Sequence, residues 1–194
     1  MVSIEQLKQL REETGISMME CKKALEEAEG DIRRAKEILR EKGKEIVKGK
    51  EGREISHGIV ASYVHPGNKI GVLLELHCET DFVAKSDDFK KLAHEICLQI
   101  AASRPLFVKK EDIPEEFLDG ERKIYQKQFD GSGKPQKIVD QIINGKLEKY
   151  KKEVSLLSQP WIKNEERTIE DLINDYIAKT GERIGIKKFS RYEI

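Results

Sequence analysis

Apolar residues in the first 43 positions recur at helical spacing in three short runs, each bracketed by a capping residue and a glycine. Ser3 precedes a stripe of Ile4, Leu7 and Leu10 that stops near Gly15. Ser17 opens a second run, with Glu20 three residues on to complete a capping box and Leu25 and Ala28 on its apolar side before Gly30. Asp31 precedes a third, in which Ile32, Ala35, Ile38 and Leu39 share a face and Gly43 is the expected end. Glycine just past a helix adopts the left-handed conformation that a Cβ resists, so each run is expected to stop at its glycine. Helices this short are marginal alone. Their stripes are buried only if the three pack together, and residues 1–43 read as a compact helical bundle.

The periodicity then changes. From Gly43 to Arg53 glycines alternate with charges around almost nothing to bury, which makes residues 44–54 a linker. Ile55 to His65 is rich in β-branched and aromatic residues, and Pro66-Gly67-Asn68 supplies turn chemistry. From Ile70 the alternation is strict, with Ile70, Val72, Leu74, Leu76 and Cys78 on one face and Gly71, Leu73, Glu75 and His77 on the other. This predicts an antiparallel hairpin with one buried face. Thr80 to Lys85 leaves the sheet, and Ser86 starts a helix that carries Phe89, Leu92, Ala93, Ile96 and Ile100 inward until Pro105 forbids its continuation. Two charged helices follow, one bearing Phe117, Leu118, Ile124 and Tyr125, the other Ile138, Val139, Ile142, Ile143 and Leu147. Thr168 and Asp171 form a capping box for a last helix with Ile169, Leu172, Ile173, Tyr176 and Ile177; Gly181 ends it, and Arg183 to Tyr192 reads as a final strand. The expected fold class is α+β. A three-helix bundle like a ubiquitin-associated domain occupies residues 1–43, the linker 44–54, and a core 55–194 has a small three-stranded antiparallel sheet covered by helices.

Charge narrows the choice of partners. Lysine plus arginine and aspartate plus glutamate both number 36, so the formal net charge is zero. Backbone binding of nucleic acid draws on a basic excess, and a balanced chain is expected to bind no nucleic acid directly. No stretch reaches the roughly 20 apolar residues of a membrane helix, and an amphipathic pattern rather than a signal peptide starts at once. Three widely spaced cysteines, Cys21, Cys78 and Cys97, suit a reducing compartment. The expectation is a cytoplasmic chain with no membrane partner.

Catalytic signatures are missing from the sequence: it has no nucleophile elbow, no Walker loop and no dinucleotide fingerprint. No catalytic residue and no cofactor is therefore expected. Gly131-Ser132-Gly133-Lys134 superficially resembles a phosphate-binding loop but lacks the spacing and lies between helices, where a flexible connector is the simpler reading. His94 and Cys97 lie three apart on a helix, and His77 precedes Cys78. Zinc needs about four convergent ligands, strand neighbours point to opposite faces, and both cysteines fall on apolar stripes. No metal is expected.

The segment from Cys78 to Ser86 is different. An Asp-Phe pair between a strand end and a helix cap sits where loops project from a rigid scaffold, although a buried anchor and a surface wedge look alike in sequence. Thr80-Asp81-Phe82-Val83, following Leu74-Glu75-Leu76-x-Cys78-Glu79, resembles the signature of the elongation factor Ts family. So do Thr14-Gly15 with Met19-Glu20-Cys21-Lys22-Lys23-Ala24-Leu25, then Gly30-Asp31 and Leu39-Arg40-x-Lys42-Gly43. Gly133-Lys134-Pro135, Leu156-Leu157-x-Gln159-Pro160 and Ile186-x-x-Phe189-x-Arg191-Tyr192 extend the resemblance, in order, over essentially the whole chain.

That resemblance implies a guanine-nucleotide exchange factor, not an enzyme, that binds elongation factor Tu in its GDP-bound and nucleotide-free forms. It implies that the helical bundle grips the GTPase domain of Tu. Thr80, Asp81, Phe82 and Val83 would insert beside the Tu magnesium site, with Phe82 as wedge and Asp81 as its polar companion. Met18 and Met19 are candidate partner-facing residues, with burial in the bundle as the equal alternative. Longer family members carry a second, related half of the core domain, whereas a single sheet is read here. A homodimer about a two-fold axis would restore the missing surface, with the final strand as interface. No cysteine follows Cys97, so a disulfide through the C-terminal segment is not expected to link the copies. The rival is an RNA-binding translation accessory protein using the lysines from Lys146 to Lys152 and the Lys187-Lys188 pair. A second, a ubiquitin-associated adaptor, leaves the larger domain without a role.

Overall fold

The computed structural model describes residues 2–50, 52–130 and 133–194. Its N-terminal bundle comprises α1 (Ile4–Thr14), α2 (Met18–Glu27) and α3 (Ile32–Lys48). Ser3 and Gln6 exchange both bonds of a capping box, and Gly15 ends α1 in the left-handed region at φ 68°. Ser17 caps α2 by accepting the Glu20 amide, but the Glu20 carboxylate takes the Ser17 hydroxyl, so the expected box is only half made. Asp31 accepts the amides of Arg34 and Arg33, which hold its carboxyl below the usual range. Leu10, Cys21, Ala24, Leu25, Ala35 and Leu39 fill the bundle interior.

The third helix does not stop at Gly43. It runs on to Lys48, so the first part of the expected linker is helical. Gly43 is buried where α3 crosses the last long helix, and a Cβ placed on it would lie 3.3 Å from the Ala178 methyl. A residue with no side chain permits that close approach. Val47, one turn on, reaches the main core and extends the apolar stripe past the glycine. Glu51, also in the expected linker, lies outside the described residues.

The core domain follows as β1 (His57–Val64), β2 (Ile70–Cys78), α4 (Asp81–Lys85), α5 (Asp87–Ser103), α6 (Glu115–Phe129), α7 (Gln136–Val154), β3 (Pro160–Trp161), β4 (Asn164–Thr168), α8 (Ile169–Thr180) and β5 (Ile184–Glu193). Sheet order is β1-β2-β5, with β2 antiparallel to both neighbours. The final strand joins the hairpin as expected, beside β2. Val72, Leu74, Leu76 and Cys78 form the buried face and meet Phe89, Leu92, Ile96 and Ile100 of α5 and Leu172, Ile173 and Ile177 of α8. Strict alternation on β2 thus places one face on helices, and the architecture is α+β.

At the β1–β2 pair, a methyl on Gly58 would overlap the Leu76 carbonyl, so only glycine allows the strands to close there. The hairpin of β3 and β4 was not expected from the sequence. Its first strand has two residues and its second, Asn-Glu-Glu-Arg-Thr, is mostly exposed, so neither carries an alternating apolar pattern. Helices α6 and α7 pack on each other through small separate clusters, one around Leu118 and Val154 and one around Val139, Ile143 and Leu147. In the connector between them, Gly131 and Ser132 lie outside the described residues. No helix among the described residues is long and apolar enough to cross a membrane.

Candidate functional site

Strand β2 ends at Cys78, and the chain turns there into the five-residue α4. A helix so short has too few internal hydrogen bonds to hold its own direction, so its orientation comes from its anchors. Inside, Ala84 is buried and Val83 packs on the main core. Thr80 caps the turn by accepting the Val83 amide at 3.3 Å, and the Thr80 carbonyl accepts from the Ala84 amide at 3.2 Å and the Cys78 thiol at 3.1 Å. Burial, with the Glu182 charge nearby, pushes the Cys78 thiol up to about 11, so it stays protonated and donates. Asp81 pairs with Lys85 at 2.6 Å, and that hydrogen bond holds the Asp81 carboxyl below its ordinary range.

Phe82 has no such anchor. Its ring is 84% exposed, although it stands between the buried end of β2 and the buried Ala84. An aromatic side chain left in water on a well-anchored turn forgoes about 2 kcal/mol of burial, and the sequence alone left its direction open. The structure resolves it outward.

The corner between α8 and β5 closes on this turn from the other side. Gly181 ends α8 at φ 72°, and Glu182 follows. One Glu182 oxygen accepts the Thr80 amide at 3.0 Å; the other accepts the Thr80 hydroxyl at 2.7 Å. Glu79, one residue before Thr80, reaches the opposite way and accepts the Arg183 amide at 2.6 Å while pairing with Arg53 at 3.1 Å. The Arg183 amide, helped by Arg53, holds the Glu79 carboxyl below the usual range. The Arg183 guanidinium donates to the Arg53 carbonyl, and Lys50 donates to the Gly181 carbonyl. Residues just past α3 are therefore tied to the corner that grips the turn. Sequence reading missed this cluster, because its members lie about 100 positions apart and no local pattern joins them.

Met18 and Met19 open α2, away from the bundle interior; Met19 is 67% exposed. Among the described residues, no hydrogen bond or ion pair links them to the turn. The bundle meets the core elsewhere. Arg40 pairs with Asp171 at 3.1 Å, and the Lys179 side chain lies on Gly15 while its ammonium pairs with Asp88 at 2.6 Å.

Several lysines of the rival reading have local partners. Lys149 pairs with Glu153, Lys151 with Glu148 and Lys188 with Glu75. Lys146 lies over the Tyr125 and Phe129 rings and donates to Gln128. Among the described residues no cluster of three or more His, Cys, Asp or Glu side chains is placed to hold a metal ion. Cys21, Cys78 and Cys97 are buried and free, and burial pushes the Cys97 thiol up to about 11.

A family model described as Elongation factor TS matches residues 7–194. The elongation factor Ts of Carboxydothermus hydrogenoformans is 50% identical over 194 residues, covering all of this chain and 89% of that protein. The Moorella thermoacetica protein of the same name is also 50% identical, with 96% of its length covered. That of Thermotoga petrophila is 49% identical over 193 residues, again with 96% of its length covered. The class is thus a translation elongation factor, with an exposed aromatic turn clasped to an α+β core. Within that class, the chain belongs to the elongation factor Ts family.

Proposed function

We propose that the protein is the guanine-nucleotide exchange factor of elongation factor Tu, acting in the cytoplasm without covalent chemistry of its own. Thr80, Asp81, Phe82 and Val83 are the residues that enter the partner, and Met18 and Met19 are part of the surface by which the bundle holds it. The observation that carries this reading is the Phe82 ring, 84% exposed at the tip of a turn whose other groups are anchored.

The physical basis is linkage. A protein that binds nucleotide-free Tu more tightly than Tu with GDP must weaken GDP by the same free energy. GDP is held in large part by a magnesium ion bridging phosphate oxygens to protein groups. Phe82 shifts the Tu element that positions this ion, so the phosphates lose counter-charge. A coupling of about 4 kcal/mol corresponds to roughly a thousandfold. Release of a fluorescent GDP analogue from purified Tu should accelerate at least a hundredfold when the protein is added. An unchanged rate would overturn the assignment.

A homodimer belongs to the same proposal. Strand β5 is an edge of the sheet, and an open edge presents unpaired backbone groups. Val60, Val64, Leu73 and Tyr192 are exposed apolar residues of the same three strands. Light scattering at micromolar concentration should give about twice 22.3 kDa. A monomer mass would remove the dimer and leave the exchange activity untouched.

A further inference from the structure

We infer that Glu182 is a positioning residue for exchange, because its carboxylate holds Thr80 so that Phe82 points outward. This inference rests on the exchange reading above. Glu182 touches neither nucleotide nor metal in that reading and acts through the turn alone.

Each polar group of Thr80 has a fixed partner. Its amide and hydroxyl both donate to Glu182, its hydroxyl oxygen accepts the Val83 amide, and its carbonyl accepts the Ala84 amide and the Cys78 thiol. The hydroxyl proton is committed to Glu182, which leaves a lone pair facing Val83. The carboxylate therefore fixes the cap as well as the strand end. Such charge-assisted bonds are shorter and stronger than neutral ones. A five-residue helix has too few internal bonds to hold its direction. Val83 and Ala84 fix its inner side on the core, and Glu182 fixes its Thr80 end.

Glu182 is itself placed by the chain around it. Gly181 turns the chain left-handed after α8, the Thr180 hydroxyl accepts the Glu182 amide at 3.3 Å, and the next amide, that of Arg183, is held by Glu79. Strand β2 sends a carboxylate to the corner, and the corner returns one to the end of β2. The two grips cross at the Cys78–Ile184 end of the β2–β5 pair. Removing Glu182 takes away two bonds at the Thr80 end of the turn and none of the sheet pairing or the Val83 and Ala84 packing.

The test is a double-mutant cycle with full-length protein and purified Tu. Glu182→Ala, which removes both bonds to Thr80, should slow release of fluorescent GDP by about tenfold. Glu182→Gln keeps one acceptor oxygen for Thr80 but turns its NH2 toward the second Thr80 donor and lacks the charge, so it should recover only part of that loss. In a Phe82→Ala background, Glu182→Ala should add less than about twofold, because the residue acts through the turn and the ring is the turn's principal contact. Hydrogen exchange at the Thr80 amide in the free protein should speed up at least tenfold in Glu182→Ala. Wild-type exchange by Glu182→Ala beside a slow Phe82→Ala would overturn the inference while keeping the wedge. A further tenfold loss in the Phe82→Ala background would also overturn it. If Phe82→Ala itself exchanges GDP at the wild-type rate, the reading beneath it falls instead.

Discussion

Phe82→Ala is expected to slow GDP release from elongation factor Tu by about a hundredfold while leaving the melting midpoint of the free protein within about 2 °C. The two halves of this result have different causes. A ring 84% exposed contributes little burial to the fold, and surface changes of this kind fall within about 0.5 kcal/mol. In a complex, by contrast, an aromatic residue that fills a partner pocket commonly contributes 2–4 kcal/mol, and about 2.7 kcal/mol is a hundredfold in rate. Binding to nucleotide-free Tu should persist through the bundle, so a pull-down separates loss of the wedge from loss of the complex. Wild-type exchange by the variant would discredit the wedge.

Phe89→Ala should do the reverse. Seven positions on, this second phenylalanine is only 1% exposed, between the buried face of β2 and α8. Truncating a buried aromatic ring removes its transfer free energy and leaves a cavity, at a cost of about 3–5 kcal/mol. For a chain of this size the melting midpoint should fall by about 6 to 20 °C. Below that midpoint, exchange should stay close to wild type, because the Ser86 cap and the Thr80 clasp do not involve the Phe89 ring. Calorimetry beside the exchange assay checks both. A shift of less than about 2 °C would show that the core tolerates the loss, contrary to its packing.

These two phenylalanines also show what a sequence can disclose. Phe89 sits at i, i+3, i+4 spacing with Leu92, Ala93 and Ile96 behind a serine cap, so periodicity alone placed it inside. The alternation from Ile70 to Cys78 and the capping box at Thr168 were legible for the same reason: the signal is local and repeats. Phe82 stands in no repeat, and its direction depends on contacts made at residue 182. Gly43 misled for a related reason. A glycine after an apolar run reads as a stop, but Ala178, remote in sequence, makes the absence of a side chain an asset within the helix. Strands β3 and β4 left no trace because one has two residues and the other begins with three exposed polar ones, too little for an alternating pattern. Local order was readable, and partnerships across the chain were not.

The uninterrupted α3 has a consequence for recognition. At 17 residues it is a strut of about 26 Å, and its far end is fastened through Lys50 and Arg53 to the corner holding Thr80. The two proposed contact regions are thus mounted like the jaws of a caliper, with their spacing set before any partner arrives. Little joint entropy need be surrendered on capture, and a glycine insertion after Lys48 would loosen the instrument without altering either jaw.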